Sequence, residues 1–136
     1  MIREIDQEAL KLILHASKSS HPAEFAGILR SEGEKITEVL FLAGTTSSES
    51  SALMRLDMLP VSSEACGSVH SHPSGVISPS EQDLFFFDRI GEIHIITGHP
   101  YNEDSWKAFD SKGHEITLTV VKGEDAHDFH DFYEEF

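Results

Sequence analysis

The segment that most restricts this chain is residues 66–91, which contains His70-Ser71-His72-Pro73, a six-residue gap, and then Ser80-Glu81-Gln82-Asp83. Residues 66–72 read as a short strand, and Pro73, which cannot donate to a ladder, ends it. Side chains alternate along a strand, so His70 and His72 point to one face and Ser71 to the opposite one. The next apolar periodicity runs to Ile90 and stops at Gly91, which predicts a helix over residues 78–90. An alternating apolar run, Ile93-His94-Ile95-Ile96, follows as a further strand. A strand, a tight loop and a helix start can return Asp83 to the two histidines. Two imidazoles and a carboxylate make a three-ligand set for a divalent metal, with a fourth position left for water. The helix start has a second explanation. Ser78-Pro79-Ser80-Glu81 reads as a capping box with Ser78 at the cap, and Ser80 with Asp83 fits the same spacing. Helix grammar alone would therefore account for Ser80 and Asp83.

The other elements are ordinary. Ala9, Leu10, Ile13, Leu14 and Ser17 recur at helical spacing, giving a helix over residues 6–19 capped by Asp6. Residues 24–30 and 36–42 read as a hairpin around the Gly33 turn. Residues 52–56 are a further strand candidate, as are 106–109 and 115–121 on either side of the Ser111-Lys112-Gly113 turn. Gly44 to Ser51 reads as a mobile polar surface loop within the domain. Residues 1–122 form one domain on this reading, and residues 123–136 are an acidic, aromatic tail. The irregular alternation of strands and helices predicts a mixed α/β layered domain. Glu24 stands at the head of an apolar strand, where a carboxylate is out of place unless it has a task. It is the candidate general base for a metal-activated water.

Charge excludes several functions. Ten Lys and Arg face 24 Asp and Glu, for a net charge of −14. A basic surface that displaces counterions from nucleic acid is missing, as is one that docks on anionic lipid. No apolar run approaches the ~18–20 residues of a membrane span. The single cysteine, Cys66, and an N-terminus with no apolar signal core fit a cytoplasmic location. Cys66 shares the face of His70 by parity but lies about 13 Å along the strand from it, too far to share its metal, and is expected in the core. His94 reads as a satisfied core histidine. Trp106 and Phe85-Phe86-Phe87 also read as core, with one of the three phenylalanines available to a partner. The tail pair His127 and His130 reads as a solvated cluster.

Taken together, Glu24, His70-Ser71-His72-Pro73 and Ser80-x-x-Asp83 resemble the JAMM motif of MPN+ metalloproteases. His21-Pro22-Ala23-Glu24-Phe25, Arg55-Leu56-Asp57-Met58-Leu59-Pro60 and Asn102-Glu103-Asp104-Ser105-Trp106-Lys107 extend the likeness to short archaeal JAMM proteins, over residues 5–121. The resemblance implies a single MPN domain: a curved mixed β-sheet flanked by helices, related to cytidine deaminases. It implies one Zn2+ per chain, held by His70, His72 and Asp83, with a catalytic water. Glu24 would be the general base and Ser80 the oxyanion donor. The implied activity is isopeptidase cleavage between a lysine and the C-terminal glycine of a ubiquitin-like modifier with a Gly-Gly tail. Two other functions stay open: a hydrolase releasing cysteine or another small amine from a sulfur-carrier protein, and a noncatalytic MPN scaffold.

Overall fold

The computed structural model describes residues 1–41 and 65–122. The expected strand at 52–56, the polar loop at 44–51, the stretch 55–60 and the tail 123–136 lie outside the described residues.

Eight strands and two helices make up the described chain. They are β1 (Glu4–Asp6), α1 (Gln7–Ser20), β2 (Ala26–Glu32), β3 (Lys35–Phe41), β4 (Ala65–His72), α2 (Glu81–Ile90), β5 (Ile93–Gly98), β6 (Trp106–Phe109), β7 (Glu115–Ile116) and β8 (Thr119–Val121). The strands form one mixed sheet in the order β7-β6-β5-β4-β2-β3-β1-β8. The β4–β5, β1–β3 and β1–β8 pairs are parallel; the others are antiparallel.

The expectation of one strand over 115–121 is corrected. This run splits into β7, which pairs with β6, and β8, which pairs with β1. These are opposite edges of the sheet, yet only Thr117 and Leu118 separate them. A chain advances at most ~3.6 Å per residue, so the two edges must approach each other and the sheet must curl. The predicted curvature is thus a consequence of connectivity.

The curl has an apolar filling on one side. The stripe Ala9, Leu10, Ile13 and Leu14 of α1 packs with Ile5, Leu29, Ile36, Val69, Ile93, Ile95 and Leu118. The other face carries a smaller cluster in which Phe86, Phe87 and Ile90 of α2 meet Ala26, Ile96 and Phe109. Neighbouring residues such as Ile95 and Ile96 fall into different clusters, as strand alternation requires. Phe85 is the exposed phenylalanine of its run, at 70%.

Three local expectations need correction. Asp6 is the N-cap residue of α1, but its side chain makes no capping hydrogen bond. It is also the last residue of β1, paired with Val121, and its role there is in the ladder. Cys66 does not share the face of His70. The β2–β4 register shifts beside Leu29, Cys66 drops out of the pairing, and its side chain packs against the α1-side cluster. Its Sγ donates to Leu29 O at 3.4 Å, and burial pushes the thiol up to about 11. Core packing is its role, as expected. Glu24 lies outside the strand it was expected to open, because β2 begins at Ala26.

His94 is the satisfied core histidine that the sequence suggested. Its ring is fully buried and stacks on Phe87, centroids 4.1 Å apart and 5° from parallel. If Nε2 donates to Gly91 O at 2.9 Å, Nδ1 is left to accept from the Ser68 hydroxyl at 2.8 Å. Burial pushes its pKa down to about 4, outweighing the Gly91 hydrogen bond that favours the charged form. The unfolded chain binds this proton near pH 6.5 and the folded chain only near pH 4. His94 therefore costs the fold nothing above pH 6.5, and stability falls as pH drops from there toward 4. The loss between pH 7 and pH 5 should be about 2 kcal/mol. Urea titrations in chelator should show that His94→Gln flattens this part of the pH–stability curve. Equal slopes for the two proteins would show that His94 takes no part in it.

Candidate metal centre

The parallel β4–α2–β5 unit builds the site. β4 ends at His72, and the chain must cross to reach β5, so α2 begins near the carboxyl end of β4, the usual place for a site in such a unit. His70 and His72 lie on the α2 face of β4, as their parity predicts. His70 is completely buried and His72 is 8% exposed.

The helix start resolves the capping question. Ser78 is not the cap: α2 begins at Glu81 with Ser80 as its N-cap. The Asp83 backbone N–H donates to Ser80 Oγ at 3.1 Å, and the Ser80 N–H donates to Asp83 Oδ2 at 2.9 Å. This reciprocal pair is a capping box with an aspartate at the third position. The box fixes the carboxylate and turns it toward β4. Helix grammar and metal ligation are therefore not alternatives here, because the same carboxylate has geometry for both.

Three side chains converge. His70 Nε2 and His72 Nε2 are 3.1 Å apart. Asp83 Oδ1 is 3.1 Å from His70 Nε2, and Oδ2 is 3.3 Å from His72 Nε2. Among the described residues, these three form the cluster whose donor atoms all lie within 4.8 Å of one another. Tetrahedral ligands ~2.0–2.1 Å from a zinc ion sit about 3.3 Å from each other, close to the spacing found. The Nδ1 atom of His72 lies 2.8 Å from Val76 O, so an Nδ1–H donating there leaves the Nε2 lone pair facing the cluster. Asp83 Oδ1 is buried with no properly directed hydrogen bond, although it points at His70. Such an atom fits a cation. Burial opposes the charge on Asp83, but the contacts from His70 and His72, with the Ser80 N–H, outweigh it. They hold the carboxyl well below the usual carboxylate range.

Glu24 reaches the same end of the sheet through Ser71. Phe25 N–H donates to Ser71 Oγ at 2.8 Å, and Ser71 N–H donates to Phe25 O at 2.9 Å. Ala26 pairs with His70, and Glu24 stands two residues before Ala26, toward the end of the sheet at which β4 reaches His72. Glu24 Oε2 is buried. Ser71, read from sequence only as pointing away from the histidines, is the link between the two segments. Alternation gave its direction but not its partner, 46 residues away.

The family comparison agrees with this geometry. The model for prokaryotic homologues of the JAB domain matches residues 6–111. The chain belongs to this family. It is 41% identical over 140 residues to a probable metalloprotease of Haloferax volcanii, covering 94% of this chain and 86% of that protein. Among solved structures, it resembles a JAB1/MPN domain protein from Archaeoglobus fulgidus. That protein is 41% identical with a TM-score of 0.70, covering 87% of this chain and 98% of the other. A structure described as JAMM, a metalloprotease-like zinc site in the proteasome and signalosome, is 39% identical. It has the same TM-score and covers 89% of this chain and 99% of its own. The MPN fold expected from the sequence is the fold found. No helix among the described residues is long and apolar enough to cross a membrane.

Proposed function

We propose that the chain is a zinc metallo-isopeptidase, cleaving the bond between the C-terminal glycine of a ubiquitin-like modifier and a lysine side chain. The observation that carries this reading is the buried convergence of His70, His72 and Asp83, with Phe25, the residue after Glu24, bonded to Ser71 on the histidine strand. The Haloferax volcanii relative, named a probable metalloprotease, supports the hydrolytic class. The structural relative named for its zinc site supports the choice of metal.

His70 Nε2, His72 Nε2 and Asp83 Oδ1 would hold the ion. Zinc, when bound, supplies Lewis acidity for the acyl carbonyl and brings the pKa of a water to about 7. The Glu24 carboxylate accepts a proton from the attacking water. It returns that proton to the lysine Nζ as the C–N bond breaks, and the second water proton leaves the new carboxyl for the amine, giving a glycine carboxylate and a lysine ammonium. Ser80 Oγ accepts from the Asp83 N–H, so its own proton is directed elsewhere and is suited to an oxyanion. Donors of this kind typically contribute about 2.7–4 kcal/mol to the barrier. A Gly-Gly tail suits the site because it is slim and can lie extended beside a strand.

The test is hydrolysis of a Gly-Gly-tailed modifier joined to a lysine side chain, by zinc-loaded protein with and without chelator, beside a cysteine adduct of the same tail. Chelator-sensitive release from lysine is the expected result. Release from the cysteine adduct alone would move the assignment to a small-amine hydrolase. Failure on both, with one zinc per chain, would remove the proposed activity.

A further inference from the structure

Glu24 is not held by a strand or helix of its own. It lies in the connection between α1 and β2, residues 21–25. Three hydrogen-bonded anchors fix that connection. Ala23 N–H donates to Ser20 O at 2.8 Å, within the connection's own turn. Phe25 is tied on both sides to Ser71 on the histidine strand. The third anchor comes from the turn after β5, where the Tyr101 hydroxyl lies 2.7 Å from His21 Nδ1.

Tyr101 is built into this position at a cost. Its φ is +62°, in the left-handed region that bulky residues avoid. A residue held there is strained and persists only where its surroundings over-determine it. Those surroundings are visible. Tyr101 N–H donates to Gly98 O at 2.8 Å, and the side chain is only 5% exposed. Its ring meets His21 edge-on at 5.5 Å and His99 at 5.7 Å, while the two exposed imidazoles stack at 4.9 Å. Burial, and then the charge of Glu24, raise the phenol's pKa. The phenol is therefore protonated at neutral pH and lies within electrostatic reach of the carboxylate.

We infer that Tyr101 and His21 are positioning residues for Glu24, their hydrogen bond clamping the α1–β2 connection to the β5–β6 turn so that the carboxylate stays aligned with the metal site. This rests on Glu24 being the general base. Ser71 fixes the connection on its β2 side and Tyr101 on its α1 side, so Glu24 is spanned by two anchors. A misplacement of about 1 Å can cost ~10²-fold in rate, and a clamp of this kind acts on rate more than on binding.

The experiment compares Tyr101→Phe, His21→Ala, His21→Asn and the double variant Tyr101→Phe/His21→Ala, each loaded with zinc. Tyr101→Phe keeps the ring and removes only the hydroxyl; it should lower kcat about tenfold, leave KM within about twofold and keep one zinc per chain. His21→Asn, whose amide reaches the place of Nδ1, should recover most of the loss seen in His21→Ala. The double variant should be no worse than the worse single variant, because both remove one bond. A second readout needs no substrate: hydrogen exchange at the Ala23 and Phe25 amides should quicken in Tyr101→Phe while Val69 and Ile95 keep their protection. Unchanged exchange at Phe25, or losses that simply add in the double variant, would overturn the clamp. If the wild-type protein cleaves no isopeptide, the proposed function fails, and the exchange arm still decides whether the clamp exists.

Discussion

Glu24→Gln should keep one zinc per chain and lose turnover by ~10²–10⁴-fold, the usual contribution of a positioned general base. The substitution keeps the shape of the side chain and removes its ability to accept a proton from water at neutral pH. The prediction separates Glu24 from the ligands. Asp83 and the two histidines have donor atoms within 4.8 Å of one another, whereas Glu24 comes from another segment, held by Phe25 and Ser71. His72→Ala is the contrasting variant. It removes a donor atom 3.1 Å from its neighbour and should lose zinc and turnover together. Metal analysis on both proteins, beside a single-turnover assay on the lysine conjugate, gives the comparison. A Gln variant that turns over at the wild-type rate would end the role of Glu24 as base. One that loses its zinc would make Glu24 a ligand instead.

Much of this site was legible because its signals are local. Strand parity put His70 and His72 on one face, Pro73 marked where the strand stops, and the Ser80–Asp83 spacing placed a carboxylate at a helix start. Which serine caps the helix was less legible, since Ser78 and Ser80 both begin acceptable boxes. The observed helix uses Ser80, because Asp83 can then serve the cap with one oxygen and face His70 with the other. Elsewhere the missing information was long-range. Residues 115–121 read as one strand because alternation says nothing about which sheet edge a strand joins. The split appears only once the sheet curls and its edges meet. Cys66 kept its expected core role but not its expected face, because a register shift beside Leu29 depends on a partner 37 residues away. No role was legible for His21, His99 or Tyr101, because their cluster forms from two connections about 80 residues apart in the chain.

Asp83 should divide its two tasks between two substitutions. In the capping box, Oδ2 accepts from the Ser80 N–H, and an asparagine oxygen can do the same. In the cluster, Asp83 supplies the negative charge that faces two buried imidazoles, and asparagine cannot. Asp83→Asn should therefore fold about as well as wild-type in chelator, within ~1 kcal/mol. Asp83→Ala should lose about 1–3 kcal/mol, because the part-buried Ser80 N–H is left without its acceptor. Zinc should reverse this grouping. Both variants should bind it far more weakly than the ~10–100-fold loss that follows from removing a supporting outer partner. Added zinc at a hundred times the wild-type Kd should then raise wild-type stability by about 2.7 kcal/mol and leave both variants nearly unmoved. Urea unfolding with chelator and with zinc reads all four quantities. If Asp83→Asn gains as much from zinc as the wild type does, Asp83 is a helix cap alone. If Asp83→Asn falls with Asp83→Ala in chelator, the charge itself holds the apo fold together. The separation is possible because asparagine keeps an oxygen for the Ser80 N–H and removes the charge that Oδ1 turns to His70 and Oδ2 to His72.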